Sequence, residues 1–193
     1  MARPKEFDPE QAMKEAMEAF WERGYHGTSV SDLLSEMNLN RGSLYGTFGD
    51  KKSLFLAALA EYERQGRSAV AAILEQPGSA KAALREFVLT AATACTGEGG
   101  QRGCLGLKAA MEMAPQDQDV ANWVRTITRE REQMVAKVVR RGQSAGEINE
   151  NVDARAVARY LLTSLAGLKV MGVSAPTERE VREVVSLILR VLD

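Results

Sequence analysis

Residues Thr28 to Lys51 read TSVSDLLSEMNLNRGSLYGTFGDK, and this stretch constrains the chain more than any other. Val30, Leu33, Leu34 and Met37 recur at helical spacing and give a short helix one apolar face. Thr28 or Ser29, just ahead of that run, supplies its N-cap. Asn38 tolerates the left-handed backbone that stops a helix, and Leu39 plugs the corner that follows. Asn40 or Arg41 opens a second helix, in which Leu44 and Phe48 face inward one turn apart. Two short helices joined by so tight a corner form a helix-turn-helix, and the second is expected to lie in a DNA major groove.

The outward face of the second helix carries Arg41, Gly42, Ser43, Tyr45, Gly46 and Thr47. Arginine bonds a guanine edge in two places, and hydroxyls serve bases or phosphates. Each glycine costs a helix about 1 kcal/mol against alanine, so helix stability does not explain the pair; close approach of the backbone to a partner surface does. Lys51 and Lys52 open the next helix, where a flexible cation and free backbone N–H groups hold a phosphate. The DNA-contacting set is therefore expected to be Thr28, Ser29, Ser31, Arg41, Gly42, Ser43, Tyr45, Gly46, Thr47 and Lys51.

Charge argues against a broad electrostatic grip. The formal net charge of the chain is −1. In the first 55 residues Arg3, Lys5, Lys14, Arg23, Arg41, Lys51 and Lys52 are outnumbered by Glu6, Asp8, Glu10, Glu15, Glu18, Glu22, Asp32, Glu36 and Asp50. DNA binding must then rest on a few well-placed cations and on two copies of the domain. No apolar run reaches the ~18 residues of a membrane span, and MARPKEFDPEQ has no signal-peptide core; a cytoplasmic protein is expected. Cys95 and Cys104 read as free thiols rather than a disulfide. His26 is the only histidine, which leaves no His-based metal cluster within one chain.

Met1 to Phe7 reads as a short arm bearing Arg3 and Lys5. Asp8-Pro9-Glu10 starts a helix, Met13, Ala16, Met17 and Phe20 form its buried face, and Gly24 ends it. Asp50 caps a helix from Lys51 to about Glu75, stopped by Pro77-Gly78. Ser79 caps the next, to about Thr96. The glycine-rich run Gly97 to Gly103 is expected to be a flexible loop; it lacks the Lys-Ser/Thr ending and the preceding strand of a phosphate loop. A short helix, Cys104 to Ala114, is followed by a long one from Asp117 to about Ser144. Asp153 caps a helix to about Gly172, and Thr177 starts the last with Glu180 as capping box. That terminal helix is apolar around much of its circumference and needs cover on more than one side. A second copy is expected to provide it through Leu161, Leu165, Leu168, Val181, Val184, Val185 and Ile188.

The stretch GYHGTSVSDLLSEMNLNRGSLYGTFGDKKSLF resembles the DNA-binding segment of TetR-type bacterial repressors. The Gly-x-x-x-Thr-x-Val entry, the Leu-Tyr-x-x-Phe signature and the Lys-x-x-Leu step carry the likeness across residues 8 to 55. The sequence departs from the family pattern at Asn38, where glycine is usual, and at Gly46-Thr47, where bulkier aromatic or His residues are frequent. The resemblance implies an all-α fold of about nine helices, with a helix-turn-helix domain over residues 1–52 and a ligand-binding and dimerisation domain over 53–193. It implies a homodimer paired as a four-helix bundle on a palindromic operator, released by a small, hydrophobic effector, with no cofactor. Candidate pocket residues are Phe87, Cys104, Leu107, Met111, Trp123, Ile127 and Leu165. Arg102-Gly103-Cys104-Leu105 also resembles a segment of relatives that sense electrophiles or oxidants, so a thiol-based sensor acting through Cys104 is the alternative. No HExxH, GxSxG, Walker or dinucleotide motif is present, and no enzyme is expected.

Overall fold

A computed structural model describes residues 7–193, so the expected arm bearing Arg3 and Lys5 lies outside the described residues. The described chain is all-α. It runs α1 (Pro9–Arg23), α2 (Val30–Glu36), α3 (Arg41–Phe48), α4 (Lys51–Leu74), α5 (Ala80–Thr93), α6 (Gly97–Arg102), α7 (Leu105–Glu112), α8 (Gln118–Ser144), α9 (Ala154–Gly172) and α10 (Glu178–Leu189), and closes with a 3₁₀ turn, Arg190–Leu192. No described helix is long and apolar enough to cross a membrane.

The helix boundaries follow the caps. Asp8 accepts from the N–H groups of Glu10 and Gln11 ahead of Pro9. Ser29 and Asp32 form a capping box on α2, and Thr177 and Glu180 form another on α10. Asn40 accepts from Ser43 N at 2.8 Å to start α3, and Asp153 accepts from Ala156 N at 2.8 Å to start α9. Gly24 at φ +74° ends α1, and Asn38 at φ +48° turns the chain between α2 and α3.

By packing the chain divides into two compact units, neither contiguous in sequence. The first takes the residues up to Gln65 together with Cys104–Val124; the second takes Gly66–Gly103 and Arg125–Asp193. In the first, Phe20 and Phe55 meet edge to face with ring centroids 5.0 Å apart, in a core with Ala16, Leu33, Leu44 and Leu59. Burying each aromatic contributes about 1.5–3 kcal/mol. Leu105, Ala109 and Val120, far along the chain, complete this core.

In the second unit α5 packs against α9 and α10. Leu84, Val88, Val139, Leu161 and Leu192 are fully buried there. Glu132, a buried carboxylate of this unit, is held by Arg155 at 2.9 Å and Arg159 at 2.8 Å. The glycine-rich run expected to be a loop forms the short helix α6, which packs on α9. Glycines make that approach possible, since a Cβ on Gly172 would stand 2.8 Å from the Cys95 carbonyl oxygen.

A second correction concerns the surface assigned to a partner copy. Leu161, Leu165, Leu168, Val181, Val185 and Ile188 are at most 5% exposed and belong to the core of their own unit. Of the expected interface residues only Val184 reaches the surface, at 36%. The apolar side chains exposed along α9 and α10 are instead Tyr160, Val170, Val173, just past the end of α9, and Leu187. Apolar spacing shows that a helix has a buried face, but it does not show which neighbour buries it.

Acid should weaken this fold through its caps. Hydrogen bonds from the Ser29 side chain and N–H hold the Asp32 carboxyl below its ordinary range. The Ser53 N–H does the same for Asp50, the Lys81 N–H for Glu147 and the Thr177 N–H for Glu180. The folded state therefore binds fewer protons than the unfolded one. The stabilisation is present above the unfolded carboxylate values near pH 4 and is lost as pH falls through the lowered folded values. Urea midpoints should hold steady between about pH 7 and pH 5 and fall below about pH 4.

Candidate nucleic-acid interface

Helix α3 is anchored by one fully buried side chain, Leu44, with Phe48 half-buried beside it. Its far side is open. Arg41, Gly42, Tyr45 and Gly46 are exposed, and Ser43 and Thr47 are half-buried. Arg41 has no carboxylate partner among the described residues, so its guanidinium is free for an outside acceptor. A Cβ on Gly46 would meet nothing within 4 Å, and one on Gly42 only the Asn40 side-chain oxygen at 3.3 Å. No internal contact requires glycine at 46.

Ser29 and Ser31 stand exposed at the start of α2. Thr28 does not. It is fully buried, and its hydroxyl donates to the Gly24 carbonyl at 2.7 Å. The Gly-x-x-x-Thr entry is thus an internal latch between the end of α1 and the start of α2, and Thr28 leaves the list of side chains offered to DNA. The threonine-serine pair looked equivalent in sequence; Ser29 is the residue that caps.

The lysines at the start of α4 are also tied down. The Lys51 ammonium lies 4.2 Å from the centroid of the Tyr25 ring, and burial lowers its pKa. Lys52 bridges Asp117 at 2.8 Å and Asp119 at 2.7 Å, and these hydrogen bonds raise its pKa. Arg23 at the end of α1 pairs with Glu36 at the end of α2.

A second layer lies behind these helices and was invisible in the sequence. The Glu112 carboxylate accepts from Tyr25 N at 2.9 Å and from His26 N at 2.7 Å. The Lys108 ammonium, one turn earlier on α7, donates to the Trp21 carbonyl at 2.6 Å and the Glu22 carbonyl at 3.0 Å. Partners 86 and 87 residues apart leave no local signal; only the i, i+4 spacing of two charges on one helix hinted at a shared face.

The candidate effector residues fall in both units. Phe87 and Leu165 belong to the core of the second, with Ile127 half-buried in α8. In the first, Leu107 and Trp123 are half-buried, while Met111 is 75% exposed and encloses nothing. An open groove in the second unit, bordered by Leu74, Met134, Lys137, Val138, Arg140 and Arg141, is lined by none of the seven. Cys104 is 6% exposed, and the Tyr62 hydroxyl donates to its sulfur at 3.4 Å. Sensing through this thiol is not favoured, since a reagent reaches a buried sulfur only after its surroundings part. Among the described residues no group of three His, Cys, Asp or Glu side chains is placed to hold a metal.

The chain matches two family models, one for bacterial regulatory proteins of the tetR family over residues 12–58, the other for the tetracyclin repressor-like C-terminal domain over residues 80–185. It is 36% identical over 195 residues to the uncharacterized HTH-type transcriptional regulator YezE of Bacillus subtilis (strain 168), covering 100% of both chains. It is 26% identical over 189 residues to the HTH-type transcriptional repressor ComR of Escherichia coli (strain K12), covering 97% of this chain and 90% of that one. Among solved structures it resembles a cysteine mutant of the TetR family transcriptional regulator CifR complexed with 26bp double-strand operator DNA. That match has a TM-score of 0.87 and 30% identity and covers 100% of both chains.

The latch is open to test. Thr28→Val keeps the shape of the side chain and removes the hydroxyl, leaving the Gly24 carbonyl without that donor. It should destabilise the protein by about 1–3 kcal/mol, measured by urea unfolding, and a parental midpoint would show that the latch carries no weight.

Proposed function

Because the chain belongs to the TetR family of bacterial regulatory proteins, we propose that it is a transcriptional repressor that binds a palindromic DNA operator as a homodimer and is released by a small, hydrophobic effector. The observation that carries the DNA-binding site is the open face of α3. It combines an unpaired Arg41, an exposed Tyr45 and a glycine at 46 that the fold does not need. Residues 1–52 act as the DNA-contacting domain in this reading, and 53–193 as the ligand-binding and dimerisation domain. Ser29, Ser31, Arg41, Gly42, Ser43, Tyr45, Gly46 and Thr47 form the contact set. Lys51 joins it from its place over the Tyr25 ring.

Two copies are required on physical grounds. One eight-residue helix on an acidic domain offers few contacts and a weak field, whereas a dimer places two such helices in successive major grooves. The exposed apolar residues Tyr160, Val170, Val184 and Leu187 on α9 and α10 form the proposed pairing surface. Effector release follows if the ligand binds better to the conformation whose recognition helices are wrongly spaced. The protein acts in the cytoplasm, without a cofactor and without catalysis.

Selection from a random duplex pool in reducing buffer tests the reading. A palindrome should emerge, and a folded protein that enriches nothing, with no bound small molecule detected by mass spectrometry, would refute it. On the selected duplex Arg41→Ala should cost about 1–3 kcal/mol and relax one base position. Gly46→Ala should raise thermal stability by up to about 1 kcal/mol while weakening binding, because a methyl group then stands between backbone and groove.

Pairing makes a separate prediction. Leu187 is 54% exposed, so Leu187→Glu should leave the fold intact. Sedimentation should show a shift from dimer to monomer, with loss of palindrome binding; an intact dimer would move the interface elsewhere.

A further inference from the structure

Helix α7 carries no residue of the proposed contact set, yet its charged side chains hold the backbone that leads into the helix-turn-helix. The carbonyls at the end of α1 and the N–H groups of the link after it lack intrahelical partners. Lys108 takes two of those carbonyls, Trp21 and Glu22, and Glu112 takes two of the N–H groups, Tyr25 and His26. Each charge thus sits on backbone groups of the opposite polarity. The fit is close. A Cβ on Gly24 would stand 2.6 Å from a Glu112 carboxylate oxygen, so the glycine at φ +74° serves both the turn and the carboxylate's approach. One turn beyond Glu112, the Gln116 amide lies 3.3 Å from the His26 ring. Lys52, bridged to Asp117 and Asp119, ties the start of α4 to the same segment.

We propose that Lys108 and Glu112 are positioning residues for operator recognition: they lock the exit of α1 and the 24–26 link, and so set the angle at which α2 and α3 are presented to DNA. This rests on the operator-binding reading above. The Tyr25 side chain is held by the Phe55 ring at 5.0 Å and by Lys51 at 4.2 Å, but the backbone N–H groups of Tyr25 and His26 are bonded by Glu112. The link's own turn bond, Thr28 N to the Tyr25 carbonyl, is long at 3.4 Å. Without the carboxylate, the Tyr25 and His26 amides return to water and the helix pair samples more orientations. Binding must then supply the ordering that Glu112 now provides in advance. The segment that bears the two residues is joined to the second unit through Gly103 on one side and Arg125 on the other.

The prediction differs from that for a residue that touches DNA. A lost phosphate contact lowers the salt slope of binding by about one, whereas a lost positioning bond lowers affinity and leaves the slope alone. The experiment compares full-length parent, Glu112→Gln and Lys108→Met on a duplex selected by the parent from a random pool. Glu112→Gln keeps the size of the side chain but turns an amide NH₂ toward one of the two N–H groups. Both variants should bind the selected duplex roughly tenfold to a hundredfold more weakly, the range that one charge-assisted hydrogen bond supplies. They should keep the parental salt slope, the parental preferred sequence and nearly the parental urea midpoint, and in Glu112→Gln the Tyr25 and His26 amides should exchange hydrogen faster. Parental affinity in both variants would overturn the proposal while leaving the operator reading intact. So would a loss of affinity that matches the unfolded fraction, since the role would then be structural only. A parent that selects no duplex would overturn the operator reading and this proposal with it.

Discussion

An eight-residue helix does not hold together in water by itself, because so few hydrogen bonds cannot offset the cost of nucleating the first turn. Everything around α3 answers that constraint. Asn40 caps its start, Gly49 at φ +79° ends it, and Leu44 is its one fully buried side chain. The core that receives Leu44 is built from α1, α2 and α4, with Phe20 against Phe55 at its centre. Because the anchorage lies on one side, the opposite side stays open, and there the chain places an arginine, a tyrosine and two glycines. Stability of the recognition helix is thus delegated to its neighbours, which frees its outer face for residues that a self-supporting helix would avoid.

Electrostatics are arranged with the same economy. The domain is acidic, and two of its best-placed cations have internal work: Lys51 lies over Tyr25, and Lys52 is held between Asp117 and Asp119. Arg41 is left with its charge uncommitted among the described residues. A protein of this charge gains little from long-range attraction to a polyanion, so accurate presentation of a few groups matters more than their number. The backbone restraints from α7 fit that need.

Much of this was legible in local sequence. Asp8, Ser79, Asp153 and Thr177 were readable as caps because a cap acts within three residues of itself, while at α2 and α3 the sequence left two candidates each, of which Ser29 and Asn40 cap. Asn38 was readable because positive φ is tolerated by few residue types, and the helix-turn-helix followed from apolar spacing around it. Thr28 was misjudged as a surface group because its acceptor, the Gly24 carbonyl, is reached only when the turn is folded. The glycine-rich segment became α6 rather than a loop because α9 lies against it, with Gly172 near Cys95 and Gly100. Most of the side chains expected to pair with a second copy are buried within the chain for a related reason. Spacing on α9 and α10 marks a buried face, and that face proved to be covered from within the chain by α5.

Sequence by itself determined the helices other than α6, most of their ends and the identity of the groups offered by α3, since those depend on interactions spanning one or two turns. Tertiary structure alone decided which apolar faces remain free on α9 and α10, which lysines are committed to carboxylates, and that residues 104–124 pack with a domain that begins a hundred residues earlier. The Glu112 and Lys108 bonds to the end of α1 belong to that second class. Burial and hydrogen bonding are satisfied by whichever groups the fold brings within reach, and distance along the chain does not enter that condition.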